Sequence, residues 1–479
     1  MKLVWDKILF EQRNLDSVSL FEYMFSTASL QAVFNERFLS NSAKGVDRLN
    51  GFQFAGRSVV ELTTASNKCL DGSFRFAPFL EKLKLKGRGK LPRVIGIPII
   101  RDRVVLHQLQ KYLAAIFPER VPKNIASTYV RQISQDVRRL NPSTTWVCST
   151  DIKTFYDSIE PQRLEREIAK KVKSSQALRL ISHALRTPTI PKNTKRSHRS
   201  KYQQSEGVPQ GLAISNILAS IYMQVVDDAF KHAPNITYFR YVDDVLIYGE
   251  EVHVKKAYRS LKTRLSRRGL SLHNLTSGKT QIEPLSTTFS YLGYTFSWPE
   301  ITVRDSTIER FLQSIAEKLT EYKHNKLKRL ERQKYLTKER LVEIFFMELN
   351  EKITGAISGS KRYGWVAYFN QITDLSLLYK MDNAIRGMLC RMSEIGEQAP
   401  ATVKKLTRAY YEMKFNPTGG YVRNYDDITT SAQKIQFLAA RGRIDPGVQL
   451  TDKQIDEIYD EYLKAILSAM HSDEGEIYS

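Results

Sequence analysis

The sequence predicts an α+β fold, with a strand-rich middle and a long, mainly helical C-terminal part. Three observations lead there. Between residues 144 and 298, apolar runs rich in β-branched and aromatic residues alternate with turn residues. Past residue 300 strand signals fade, and helical periods with Lys/Arg-rich faces continue to residue 440. At 479 residues the chain is too long for one compact core, so roughly two to four domains are expected. The composition, 42% hydrophobic and 26% charged, is ordinary for a globular protein and excludes disorder and collagen-like folds.

Taken in order, residues 1–40 read as helix, with Leu20, Phe21, Met24, Phe25 and Leu30 at helical spacing. SAKGVDRLNGFQF (42–54) supplies Gly45 and Gly51, a turn before a short helix or strand. Residues 82–103 hold eight Lys/Arg, with GRGK (87–90) as a hairpin tip and RVIGIPI (93–99) as a strand. RDRVVLHQLQKYLAAIF (101–117) is an amphipathic helix. TTWVCSTDI (144–152) is an apolar strand ending in a carboxylate, and a helix follows from Pro161. PKNTKRSHRSKY (191–202), with five Lys/Arg and no acid, is a loop. Residues 207–230 form a Gly/Pro turn and a long helix. ITYFRYVDDVLIYGE (236–250) is a hairpin around Asp243 and Asp244, and SYLGYTFSW (290–298) a further strand.

The charge needs a partner. Lys and Arg number 73 against 51 Asp and Glu, a net +22, which suits a polyanion such as nucleic acid. The basic residues crowd into 82–103, 191–202 and 323–340, whereas 451–479 carries eight acids and two bases. Cys69, Cys148 and Cys390 are far apart, so neither a zinc site nor a disulfide framework is expected, and a reducing compartment fits. The first residues, MKLVWDKILFEQRN, lack the pattern of a signal peptide, and no run of about 18 apolar residues exists. The expectation is a soluble cytoplasmic protein with no membrane partner.

Apolar strands that end in acids call for a cation. Asp243 and Asp244 repel each other within an apolar hairpin unless one neutralises them. Asp151 ends another apolar strand, and if the two strands are neighbours the carboxylates converge. Oxygen-only ligands suit Mg²⁺, and two such ions activate a 3′-hydroxyl and stabilise leaving pyrophosphate. An ordinary exposed Asp-Asp turn is the competing reading, which the apolar flanks weaken.

These residues carry a family resemblance. YVDD (241–244) resembles the Tyr-x-Asp-Asp signature of reverse transcriptases. STDIKTFYDSI (149–159) is similar to the family's first catalytic strand, and VPQGLAISNILA (208–219) to its template- and nucleotide-contacting segment. SLHNLTSGKTQI (271–282) is similar to its Asn-x-x-Lys-Thr segment, FSYLGYTFS (289–297) to its primer grip, and RVIGIPIIRDRVV (93–105) to the fingers motif of bacterial and group II intron enzymes. The resemblance implies a right-hand polymerase, with fingers and palm built on antiparallel sheet, an all-α thumb and a C-terminal helical region. The implied boundaries are an N-terminal extension (1–40), fingers (41–135), palm (136–300, with an insertion near 160–206), a maturase-like thumb (301–395) and an accessory region with an acidic tail (396–479).

Site residues carry over one at a time. Asp151, Asp243 and Asp244 match the metal-binding and catalytic carboxylates, and the carbonyl of Ile152 would face the same metal, giving two Mg²⁺ ions with Mn²⁺ as an alternative. Tyr156 matches the steric gate that favours dNTPs, and Phe155 beside it is a nucleotide-pocket candidate with ordinary core packing as its competing reading. Gln210 and Gly211 match the pair near the incoming base, Lys90 and Arg93 the fingers residues that hold triphosphate, and Lys279 a general acid for pyrophosphate. Arg101 and Arg103 are weaker candidates, Arg103 having Asp102 or Asp47 as alternative partners. Tyr291, Leu292 and Gly293 match the primer grip. Residues 349–389 resemble the thumb of group II intron maturases, which makes Lys326, Arg329, Lys361 and Arg362 nucleic-acid contacts and leaves Tyr363, Trp365, Tyr368 and Phe369 open between groove and core.

Several subclasses lack their marks here: no Cys-rich nuclease, RNase H, protease or integrase pattern is visible, nor are retron hallmarks. Asn216 stands where group II enzymes usually carry Pro. The reading is therefore an RNA-directed DNA polymerase of the defence-associated, abortive-infection and "unknown group" lineage. It would copy a structured non-coding RNA into DNA from dNTPs, and a homo-oligomer is compatible with it. A group II maturase-type enzyme and a non-catalytic RNA scaffold are the alternatives. The acidic tail would shield or occupy the channel, and Tyr459, Tyr462 or Tyr478 could prime synthesis; a docked amphipathic helix competes with that idea.

Overall fold

The computed structural model describes residues 15–84, 92–121, 126–392, 400–445 and 447–474. The first seven strands are β1 (Phe79–Lys84), β2 (Arg93–Ile97), β3 (Thr145–Asp151), β4 (Thr189–Ile190), β5 (Ile236–Tyr241), β6 (Asp244–Glu250) and β7 (Gln281–Pro284). The main sheet has the order β5-β6-β3-β7. Its central strand β6 buries Val245, Leu246, Ile247 and Tyr248 in succession. An unbroken apolar run is what a strand covered on both faces requires. Antiparallel pairing of β3 with β6 runs from Thr145↔Glu250 to Asp151↔Asp244. The hairpin partner β5 pairs from Ile236↔Gly249 to Tyr241↔Asp244. Helix Glu251–Ser266 packs on β3 and β6. Helix Ser215–Phe230 turns Ile217, Leu218, Ile221, Tyr222 and Val226 inward and stacks Phe230 on Tyr238, ring centres 5.0 Å apart.

A second sheet has the order β2-β1-β4. Strands β1 and β2 pair out to Lys84↔Arg93, as the expected hairpin requires. Its tip, with GRGK and Lys90, lies outside the described residues. The N-terminal helices Ser17–Met24 and Thr27–Val33 pack on helix Ile100–Ile116, where the Tyr112 hydroxyl donates to the Ser17 carbonyl at 2.8 Å. The basic loop at 191–202 contains a 3-10 segment, Arg196–Tyr202. These elements belong to one compact unit, residues 1–123 with 144–283.

The other unit comprises 124–143 and 284–478. Its strands are β8 (Phe289–Tyr291), β9 (Tyr294–Ser297), β10 (Glu300–Val303), β11 (Ala356–Ser358), β12 (Lys361–Tyr363) and β13 (Arg423–Asn424). The single strand expected over 290–298 is instead a hairpin. Leu292 and Gly293 take φ of 50° and 81°, which reverses the chain between β8 and β9. The expected helices are present, among them Asp305–Arg332, Lys338–Thr354, Ser376–Cys390, Leu406–Phe415, Ser431–Ala440 and Asp452–Asp473. To this helical region the chain adds a small sheet, β12-β11-β13, so the thumb-like region is not purely α. Gly355, at φ 69°, lies against the Tyr363 carbonyl so closely that a Cβ would sit 2.2 Å away, which makes glycine obligatory there.

The C-terminal stretch is folded onto this unit. Tyr425, Phe437, Leu438, Tyr459, Tyr462 and Met470 form one buried cluster. Arg441 lies buried over the Phe437 ring at 4.2 Å and pairs with Glu351. The acidic tail spends its charge locally: Lys352 binds Asp473 at 2.7 Å and Lys434 binds Asp456 at 2.6 Å. Tyr459 and Tyr462 are 4% and 9% exposed, so burial removes both as priming hydroxyls, and Tyr478 lies outside the described residues. Among the described residues no helix is long and apolar enough to cross a membrane.

Candidate active site

The β3–β6 register sets the site. It places Asp151 directly opposite Asp244, with Asp243 in the two-residue turn beside them. The Ile152 amide donates to the Asp243 carbonyl at 3.0 Å, closing the ladder one residue past the strand end. The carboxylates that the sequence separates by about 90 positions are therefore neighbours, and Asp243 is 9% exposed. Val242, the other turn residue, has φ 58°. A β-branched residue in the left-handed region is strained by about 1–3 kcal/mol, and such strain persists only where surroundings hold it.

Arg240 supplies that hold. Its Nη1 donates to the Val242 carbonyl at 2.7 Å, while Nε and Nη2 grip Asp227 at 2.7 and 2.5 Å. The Tyr238 hydroxyl donates to the same carboxylate at 3.0 Å, and burial beside Asp227 pushes its pKa up. Asp227 sits on helix Ser215–Phe230, so a bidentate ion pair ties the turn to a buried helix. This pair was not anticipated from the sequence. Its signal was an Arg two residues before the turn in an otherwise apolar strand.

Residues 271–280 are stitched to the end of β3. The Lys153 amide donates to the Ser271 carbonyl at 2.8 Å, Ile152 bridges Leu272, and the Thr150 and Thr280 hydroxyls meet at 2.8 Å. This brings Lys279 Nζ to 3.3 Å and His273 Nε2 to 3.5 Å from Asp151 Oδ2, and Lys279 to 3.1 Å from His273. Burial, with Lys279 and Lys153 nearby, holds the His273 imidazole below its usual range against the pull of Asp151. Lys279 was expected here; His273 was not, although it lies in the same SLHNLTSGKTQI segment.

Tyr156 is 7% exposed and donates to Asn216 Oδ1 at 2.5 Å. Burial, and then the Asp243 carboxylate, raise its pKa, while Arg93 pulls the other way. Tyr156, Asp243 and Arg93 thus share one electrostatic neighbourhood. Phe155 is 3% exposed, which favours core packing over its expected place in the nucleotide pocket. Gln210 Nε2 donates to Asp157 at 3.3 Å and its carbonyl accepts from the Gly96 amide at 2.8 Å. Gly211 has φ 93°, and a Cβ there would meet Ile95 at 2.5 Å. Its close approach is therefore to β2, and glycine is required for that reason as well as any nucleotide contact.

Other candidates have structural duties. Arg101 pairs with Asp102 at 2.7 Å. Arg103 donates to the carbonyls of Pro98 and Ala43 and to Asn41, each at 2.8 Å, rather than to Asp102 or Asp47. Arg329 Nη2 donates to the Arg441 carbonyl at 2.9 Å, a structural duty besides its expected nucleic-acid role. Lys326 is half-buried on the same helix, and Lys361 and Arg362 are exposed on β12. Trp365 and Phe369 are core, and the Tyr368 hydroxyl donates to the Leu292 carbonyl at 3.0 Å, so these aromatics pack helices rather than line a groove. Tyr363 packs on the C-terminal cluster. Tyr291, Leu292 and Gly293 form the β8–β9 turn.

The donor set fits a hard cation. Asp151 Oδ1 is buried and accepts no hydrogen bond, a cost that an oxygen-seeking ion would relieve. Among the described residues no group of three or more His, Cys, Asp or Glu forms a ready-made metal cage. Mg²⁺ sites that are completed by waters and substrate phosphates need none.

Residues 85–296 match the family described as reverse transcriptase (RNA-dependent DNA polymerase). Those residues, rather than the whole chain, are similar to a reverse transcriptase domain. The protein YkfC of Escherichia coli K12 is 23% identical over 296 residues, covering 52% of this chain and 74% of that one. The group II intron-encoded protein LtrA of Lactococcus lactis subsp. cremoris is 23% identical over 227 residues, covering 45% of this chain and 36% of LtrA. Among solved structures, apo telomerase from Candida tropicalis aligns at TM-score 0.42 and 13% identity, covering 84% of this chain and 67% of that one. The expected α+β class stands, and the three carboxylates lie at the antiparallel pairing of β3 with β6, within the matched residues.

Proposed function

We propose that the chain is an RNA-directed DNA polymerase that extends a primer with dNTPs on an RNA template. One observation carries the reading: the register that sets Asp151 against Asp244 and Asp243 at the open end of β3 and β6. Asp151, Asp243 and the Ile152 carbonyl would hold divalent metal, Mg²⁺ or Mn²⁺, with Asp244 as accessory. Bound there, the metal lowers the pKa of the attacking 3′-hydroxyl and neutralises charge on the leaving pyrophosphate.

The chain's own residues do the rest. Lys279, with His273 at 3.1 Å, stands beside Asp151 and can deliver a proton to pyrophosphate. Tyr156 closes the sugar side of the pocket, its ring fixed by the bond to Asn216, and a ribose 2′-hydroxyl would clash with it. Arg93 and Lys90 would grip triphosphate. Gln210 and Gly211, locked to β2, would set the floor under the base pair. Tyr291, Leu292 and Gly293 would steady the primer, and Lys361 and Arg362 would contact its backbone.

The finer reading is a defence-associated enzyme with a dedicated structured non-coding RNA as template. Asn216 in place of the Pro usual in group II enzymes supports it. Similarity to the group II intron-encoded protein LtrA supports the second reading, a maturase-type enzyme. Purified protein should incorporate dNTPs on a primed RNA template only with Mg²⁺ or Mn²⁺, and sequencing of co-purified RNA should return one dominant structured species. Incorporation in the presence of excess chelator would refute metal-dependent polymerisation, and a random RNA population would refute the dedicated template.

A further inference from the structure

Helix Leu406–Phe415 has two different faces. Leu406, Ala409, Tyr410 and Met413 are buried against the rest of the unit. The opposite stripe, at spacing i, i+3, i+7, holds Arg408, Tyr411 and Phe415. Tyr411 and Phe415 are 49% and 69% exposed, and their rings lie 6.1 Å apart at 32°. Single exposed apolar residues are ordinary, but two aromatic rings in tandem leave about one stacking platform open to solvent.

Cations interleave with the rings. Lys414 Nζ lies 5.6 Å from the Phe415 ring centre while donating to the Tyr410 hydroxyl at 2.7 Å, and the Phe415 ring neighbours that of Tyr411. The stripe continues beyond the helix N-terminus: Arg408 lies 4.4 Å and Lys404 4.8 Å from the Tyr421 ring centre. Lys405 is exposed beside them. Lys404 Nζ also donates to the Tyr421 carbonyl at 2.5 Å, and burial, then the charges of Arg423 and Arg408, hold its ammonium below its usual range against the pull of Glu351. The acids nearby are occupied. Glu351 pairs with Arg441. Glu412 accepts from Arg408 at 3.3 Å and from Asn416 at 3.0 Å. Asp382 caps the helix, accepting from the Leu406 amide at 2.7 Å and the Thr407 hydroxyl at 2.8 Å.

We propose that this stripe, from Tyr421 through Arg408 and Tyr411 to Phe415, is a stacking platform for single-stranded RNA. Exposed rings flanked by cations offer what a single strand uses, bases stacking on aromatics while phosphates take Lys and Arg side chains. A protein partner would gain from the rings but would have to cover Lys404, Lys405, Arg408 and Lys414 as well, at a desolvation cost that phosphates do not impose. The platform lies outside the matched reverse transcriptase domain and does not depend on catalysis.

The test uses the full chain and an unstructured 20-nucleotide RNA bearing 5-iodouridine, irradiated and mapped by peptide mass spectrometry. Adducts are expected on Tyr411, Phe415 or Tyr421, and any on Tyr421 should weaken in Tyr411→Ser/Phe415→Ser. By anisotropy that double variant should bind the oligonucleotide about tenfold or more weaker with an unchanged salt slope. The triple variant Lys404→Ala/Arg408→Ala/Lys414→Ala should instead flatten the slope by up to about 2, at ~0.7 for each phosphate no longer neutralised. These positions are exposed or half-buried, and circular dichroism melting of each variant shows that it folds. Adducts confined to the reverse transcriptase domain, with parental affinity in the double variant, overturn the proposal. So does a change of oligomeric mass in that variant without change in RNA binding, which would assign the stripe to a second copy of the chain. Because crosslinking needs no turnover, an inactive polymerase would leave this test intact.

Discussion

Arg240 is the residue whose removal tests most of the active-site geometry at once. Substitution by Met keeps the length of the stem and removes three donors, two to Asp227 and one to the Val242 carbonyl. The side chains of Arg240 and Asp227 are 10% and 22% exposed. Stranding one member of a buried pair costs about 3–5 kcal/mol. Asp227 keeps the Tyr238 hydroxyl and some water, so about 2–3 kcal/mol is expected, read as a fall in the urea midpoint. The strained turn at Val242 also loses its tether. A shift of about 1 Å in a reacting group costs on the order of 10²-fold, so single-turnover incorporation should slow by about that factor. Asp227→Asn/Arg240→Met removes the stranded charge and should recover part of the stability, yet stay slow, because nothing restores the bond to Val242. Parental incorporation by Arg240→Met, despite reduced stability, would refute the claim that the pair positions the turn.

Other outcomes follow from single contacts. Tyr156→Ala should raise rNTP use relative to dNTP, and Asn216→Ala should do so more weakly by freeing the ring; unchanged sugar selectivity in both would remove Tyr156 as a gate. His107, buried beside Phe38, is held down to about 3 by burial and then by the charges of Arg37 and Lys111. Its unfolded value is about 6.5, so its contribution is fully present above pH 6.5 and is lost as pH falls through 6.5 toward the folded value. His107→Leu should therefore flatten the loss of stability between about pH 6.5 and 4, and an unaltered pH profile would refute this.

Much of this was legible because local pattern and site chemistry coincide. The hairpin around Asp243 was readable from two apolar β runs, and Tyr156, Gln210 and Lys279 from their positions in short motifs. Convergence of Asp151 and Asp244 was legible only as a condition, since pairing of β3 with β6 is a long-range choice that no local propensity encodes. His273 escaped notice because its approach to Asp151 depends on the bridge between Ile152 and Leu272. The β8–β9 hairpin was hidden because Leu292 at positive φ carries no turn signature in its side chain. Tyr459 and Tyr462 looked exposed among acids, yet their rings are buried in the face by which the helix docks. The Arg329 bond to the Arg441 carbonyl was not legible, because charge alone does not reveal a partner 112 residues away.

The central claim is that Asp243 and its neighbours perform metal-dependent DNA synthesis. Single-turnover dNTP incorporation on a primed RNA template, with parent and Asp243→Asn side by side, tests it most directly. Removing a ligand worth several kcal/mol of transition-state charge stabilisation predicts a loss on the order of 10³-fold or more, with RNA affinity unchanged. Incorporation by Asp243→Asn at the parental rate would contradict the account.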